Sequence, residues 1–144
     1  QDVAGGLRVG YALCGDERFV AALAQVRQPF FCSTAAQAAA VEALKHQDAV
    51  AERVERAVAA RVTLEDGLAE LGIVPAVSQA NFCWFDLPDE IEEPAVVAGL
   101  AERGVLVRAG TALGREGALR VTYGTPQQND RFLAALGAVL EGQP

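Results

Sequence analysis

Three arginines stand where a charge is unusual. Arg8 lies inside the apolar, glycine-flanked run Gly5-Gly6-Leu7-Arg8-Val9-Gly10-Tyr11-Ala12-Leu13, which reads as a buried strand. A guanidinium buried there must be matched by an anion, because an unpaired buried charge costs several kcal/mol or more. Two anions would serve: a carboxylate elsewhere in the fold, or a phosphate, whose oxygens suit the planar guanidinium fork. The stretch taken alone favours the carboxylate. Arg120 repeats the oddity within Leu119-Arg120-Val121, and Arg108 closes the apolar run Val105-Leu106-Val107. Both flank the glycine-rich segment Gly110 to Gly117. For Arg108, simple exposure on an edge strand is as good a reading as a function; for Arg120, followed by Thr122-Tyr123-Gly124-Thr125, a functional reading is preferred.

The other reactive side chains offer less. His46 is the one histidine and has no Ser, Cys or carboxylate spacing around it that suggests a catalytic triad; it reads as solvated. Lys45 is the one lysine and sits in a polar hinge, whereas a Schiff-base lysine needs shelter to lower its pKa. Asp86, Asp89, Glu90, Glu92 and Glu93 cluster around a turn without calcium-loop spacing, so they read as a solvated loop with no metal. Cys14, Cys32 and Cys83 are odd in number and far apart, which argues against disulfides and zinc and for reduced, cytoplasmic thiols.

These residues must be positioned by a chain of 144 residues, 51% of them hydrophobic, enough for a real core. Nineteen acidic against twelve basic side chains give a net charge of −7, and the basic residues do not cluster, which speaks against nucleic acid or an anionic membrane as partner. No uninterrupted apolar run of about 18 residues is present and no basic stretch precedes a short apolar one, so neither a membrane span nor a signal peptide is expected. The chain contains no methionine and its strand-like sequence begins within a few residues, so it is expected to be the middle of a longer protein.

In order, Asp16 caps a helix running to about Val26, with Phe19, Val20, Leu23 and Val26 on one face. Pro29 stops it. Ser33 or Thr34 opens an alanine-rich helix, and Thr34 with Gln37 fits a capping box. The longest helical pattern runs from about Ala49 to Leu71, closed by Gly72 and Pro75. Then the texture becomes alternating: a strand in Gln79 to Leu87, a helix from Pro94 to about Arg103, strands at Val105 to Arg108 and Ala118 to Tyr123, and a final helix opened by Thr125-Pro126-Gln127-Gln128. This predicts an α/β (α+β) fold with helices on one face of a mainly antiparallel sheet.

Three segments together resemble the C-terminal part of the histidinol-phosphate aminotransferase family, which has aromatic and phenylalanine aminotransferases as relatives. They are Gly6-Leu7-Arg8-Val9-Gly10-Tyr11; Ser78-Gln79-Ala80-Asn81-Phe82; and Gly104-Val105-Leu106-Val107-Arg108 with Leu119-Arg120-Val121-Thr122-Tyr123-Gly124-Thr125-Pro126. The resemblance implies a fold-type I, pyridoxal-phosphate-dependent homodimer acting on a small-molecule amino acid or phosphorylated amine. It implies the tail of the large cofactor domain in residues 1–45, a connecting helix in 46–72 and the C-terminal small domain in 73–144. By the same resemblance Arg8 binds the cofactor phosphate, Arg120 holds the substrate's carboxylate or phosphate, Arg108 is a second substrate arginine, and Asn81 is structural.

The family's Schiff-base lysine would fall immediately before Gln1, and the aspartate that pairs with the pyridine nitrogen belongs to the large-domain segment upstream. The expectation is therefore the C-terminal part of an aminotransferase that transfers an amino group to or from a 2-oxo acid or imidazole-acetol phosphate, inactive as this chain alone. The alternative is a non-catalytic α/β binding or assembly module derived from the small domain.

Overall fold

The computed structural model describes residues 7–142, which form two compact units meeting between Val54 and Glu55, inside one long helix. In the first, α1 (Glu17–Val26) and α2 (Thr34–Ala43) are short helices with local caps. The Asp16 carboxylate accepts the Arg18 and Phe19 N–H groups at 2.9 and 3.4 Å, and Ser33 Oγ accepts the Ala36 N–H at 3.1 Å. Each cap satisfies N–H donors that a helix start leaves orphaned. Ser33 is thus the cap of α2, and the capping box expected at Thr34 does not form; Gln37 donates its side-chain amide to the Cys32 carbonyl instead.

The strand expected over Gly5–Leu13 begins outside the described residues, and from residue 7 onward it is absent. Arg8 occupies a turn with φ of 55°, residues 9–14 have no regular structure, and Leu7, Tyr11 and Leu13 are exposed. A strand satisfies its N–H and C=O groups only by pairing, and the first unit has no strand to pair with among its described residues.

The long helix α3 (Gln47–Glu70) carries the chain into the second unit, where β1 (Phe82–Asp86), α4 (Glu93–Glu102), β2 (Arg108–Ala109), β3 (Ala118–Thr122) and α5 (Pro126–Glu141) follow. The sheet is antiparallel with order β1-β3-β2. Cys83 and Phe85 of β1 and Leu119 and Val121 of β3 alternate onto one face. There they pack with Leu64 and Leu68 of α3, Val96 and Leu100 of α4, and Phe132, Leu136 and Val139 of α5. Each such side chain, fully buried, contributes about 1.5–3 kcal/mol.

The α/β expectation therefore stands, with helices on one face of a small antiparallel sheet. The strand at Val105–Arg108 is shorter than expected: only Arg108 and Ala109 join the ladder, and Leu106 is exposed. Pro94 lies in the first turn of α4, and Gly104, with φ of 71°, follows its end. The capping box of α5 forms as read: Thr125 Oγ1 accepts the Gln128 N–H, and Gln128 Oε1 accepts the Thr125 N–H.

Candidate functional site

The sheet face away from the core carries the arginines. Arg120 lies directly opposite Trp84 on one side and Arg108 on the other, so the three form a row across the strands. Directly opposed residues share a face; Arg108 is exposed, so water softens its repulsion with Arg120, and an anion between them would remove it. Arg120 is half-buried; its Nε is fully enclosed and has no hydrogen-bond partner among the described residues. Its guanidinium instead stacks on the Phe82 ring, 5.0 Å from the centroid. A guanidinium fork placed this way has the geometry to meet an oxyanion bidentately.

Beyond Arg108 the β2–β3 ladder stops, and a cleft of about 550 Å³ opens where residues 104–108 and 120–124 run on. Arg108, Arg120 and Arg131 line it together with Gln128 and Asn129, and no carboxylate does. Arg131 Nη2 donates to the Arg103 carbonyl at 2.8 Å. Asn129 is engaged structurally: it accepts the Gly124 N–H at 2.8 Å and donates to the Ala60 carbonyl at 3.1 Å. With three arginines and no acid among otherwise largely neutral lining residues, the cleft carries local positive charge, which favours an anionic ligand.

The Asn81 segment is held from two sides. Arg61 Nη1 donates to the Ser78 carbonyl at 2.9 Å, and the Tyr123 N–H donates to the Asn81 carbonyl at 3.0 Å. Tyr123 Oη donates to Glu65 at 3.3 Å, and burial, followed by nearby negative charge, pushes its hydroxyl above the ordinary range. Cys83 is fully buried, and burial raises its thiol to about 11, so it stays protonated and unreactive.

Arg8 belongs to the first unit and is exposed rather than buried, which removes the argument that burial forces an anion upon it. Among the described residues its guanidinium makes no ion pair. Lys45 does not suit a Schiff base: it is exposed and its Nζ lies 2.8 Å from Glu42. His46 pairs with the other oxygen of the same carboxylate at 3.1 Å. Lys45 first, then His46, hold Glu42 below the usual carboxylate range. Among the described residues no group of three or more His, Cys, Asp or Glu is placed to hold a metal, and no helix is long and apolar enough to cross a membrane.

The acidic turn departs from its sequence reading. Glu93 is buried, and its carboxylate accepts the Thr111 and Ala118 N–H groups, each at 3.2 Å. Burial alone would raise its pKa, but bonds from the Thr111 side chain and the Thr111, Ala118 and Gly117 backbone outweigh that and hold it low. Asp86 pairs bidentately with Arg115 at the surface, at 2.8 and 2.6 Å. In the sequence Glu93 reads only as one acid of a solvated turn. Phe82 and Arg131 were also missed as neighbours of the arginines; the alternation that sets Phe82 and Trp84 on one strand face was the available signal for Phe82.

Comparison with known proteins identifies the family. The chain is 37% identical over 135 residues to histidinol-phosphate aminotransferase 1 of Mesorhizobium japonicum, covering 94% of this chain and 36% of that protein. It is 39% identical over 129 residues to an aromatic amino acid aminotransferase of Rhodococcus erythropolis, covering 90% and 34%. It thus spans about a third of the length of these curated relatives. A solved histidinol-phosphate aminotransferase of Sinorhizobium meliloti, in complex with pyridoxal-5'-phosphate, superposes with a TM-score of 0.70 at 25% identity, covering 85% of this chain and 34% of that one. The family model for aminotransferase class I and II matches residues 3–136, and the chain belongs to that family.

Proposed function

We propose that this chain is the substrate-gripping C-terminal part of a pyridoxal-phosphate-dependent aminotransferase akin to the histidinol-phosphate enzymes. Arg120 and Arg108 hold the substrate's phosphate or carboxylate, and Arg8 holds the cofactor phosphate. The observation that carries this reading is the opposed Arg108–Arg120 pair, with Arg120 braced by Phe82 and its enclosed Nε unpaired. Two guanidinium groups on one sheet face bind an anion at fixed orientation, which is what a substrate needs in order to present its amino group to a cofactor. Pyridoxal phosphate, when bound, supplies the electron sink for amino-group transfer.

On this reading residues 1–45 are the end of a large cofactor domain, 46–72 a connecting helix and 73–144 the small domain of a cytoplasmic homodimer. The chain by itself does not catalyse, because its one lysine is exposed and paired with Glu42. Calorimetric titration with histidinol phosphate and with phenylalanine tests the grip. Binding of the phosphorylated amine, weakened about tenfold or more in Arg120→Gln as expected for loss of a charge-assisted bond, supports it; unchanged affinity overturns it. Oxo-acid formation by the chain supplied with pyridoxal phosphate, an amino donor and a 2-oxo acid would refute the predicted inactivity.

A further inference from the structure

Two residue pairs, Arg108 with Arg120 and Ala109 with Leu119, are the whole ladder between β2 and β3. So short a ladder specifies register weakly, and a slip of one residue would turn Arg108 to the other face of the sheet. Something beyond the ladder must hold the two arginines opposite each other.

Glu93 stands where that constraint is needed. Its Oε1 accepts the N–H of Thr111, two residues past β2, while its Oε2 accepts the N–H of Ala118, the first residue of β3. One buried carboxylate thus ties together the outgoing and returning ends of the connecting loop. Between them the Gly110 N–H donates to the Ala118 carbonyl at 2.7 Å. A Cβ on Gly110 would overlap the Arg115 carbonyl oxygen and stand 2.6 Å from that of Ala118, so the neck of the loop is closed to any larger residue. The surface pair of Asp86 and Arg115 holds the far part of the same loop, but in water, where an ion pair contributes little.

We propose that Glu93 is a positioning residue whose carboxylate sets the β2–β3 register, and thereby builds the two-guanidinium grip of Arg108 and Arg120. The proposal rests on reading that pair as the substrate-anion site. Glu93 touches no substrate and acts only through the backbone of the loop. A glutamine there keeps one acceptor oxygen and puts an NH2 donor in place of the other, so the outgoing end loses its 3.2 Å bond to Oε1 and keeps at most the longer 3.4 Å contact of the Thr111 N–H with Oε2.

The test uses the full chain with two readouts: register, from amide exchange of Gly110 and cross-strand nuclear Overhauser contacts between Arg108 and Arg120, and binding of inorganic phosphate. Glu93→Gln is expected to speed Gly110 exchange and weaken phosphate binding, each about tenfold, while α5 amides stay protected. Asp86→Asn should change both by less than about twofold. Unchanged Gly110 protection and an intact Arg108–Arg120 contact in Glu93→Gln overturn the proposal, as does an equal effect of Asp86→Asn. Should Glu93→Gln also expose α5, Glu93→Asp decides: register lost with α5 protected supports the role, and register kept refutes it. If phosphate binding is absent, or is unaffected by Arg120→Gln, the anion-site reading falls while the register readout still decides what Glu93 does.

Discussion

The two units of this chain obey the same local rules and differ in what they bury. In the described residues up to Val54, Ala36 alone is buried; Phe19, Leu23, Val26, Phe30 and Phe31 are all exposed. Helices α1 and α2 there are nevertheless well started, each by a side chain that caps its first turn. From Glu55 onward a continuous cluster runs through α3, both long strands, α4 and α5. Capping and periodicity therefore suffice to place a helix in either unit, but a strand appears only where a neighbouring strand and a covering helix exist. The apolar run around Arg8 and the apolar run around Arg120 look alike as sequence and end differently for this reason.

The same contrast separates the carboxylates. Glu42 and Glu93 are both held below the usual range, one by exposed Lys45 and His46, the other, against the effect of burial, by the Thr111 side chain and backbone donors. An exposed pair is screened and contributes little, whereas a buried carboxylate satisfied by N–H groups stabilises the fold and is costly to disturb.

Three measurements would break or sharpen this comparison. Phe85→Ala should cost about 3–5 kcal/mol in urea unfolding, the range for emptying a buried aromatic site, while Phe30→Ala, at a fully exposed position, should stay within about 0.5 kcal/mol. Equal losses would mean that the two units share one core. The next effect lies in the pH dependence. The folded pKa of Glu93 is lowered, so its contribution is fully present above the ordinary carboxylate value and is lost as pH falls through the lowered one. Unfolding free energies measured down the acid limb should show a smaller acid loss in Glu93→Gln than in the parent, whereas Glu42→Gln, which removes an exposed and screened group whose pKa is also lowered, should reduce that loss by much less. Smallest, Thr125→Ala should cost about 1 kcal/mol by removing one half of the α5 capping box, read as a lower thermal midpoint; no change would mean that packing rather than the cap sets where α5 begins.

Much of this was legible in residue order. Asp16, Pro94, Gly104 and Thr125-Pro126 marked helix ends correctly because caps and stops act within three or four residues. Three details were not legible. Ser33 rather than Thr34 took the cap of α2, since both offer a hydroxyl at neighbouring positions and only the backbone geometry chooses. Glu93 read as one more acid in a solvated turn, because its partners lie 18 and 25 residues further along the chain. Arg8 read as buried, because burial was inferred from apolar neighbours in sequence rather than in space.

By itself, then, the sequence determined where most helices start and stop, roughly where the strands lie, and the motifs by which an aminotransferase segment is known. Those features depend on contacts a few residues long. Which arginines face one another, which of them stacks on an aromatic ring, and which acid is buried against the loop that carries them depend on strand register and chain closure. Only the tertiary structure decides these, since a shift of one residue reverses every side chain on a strand.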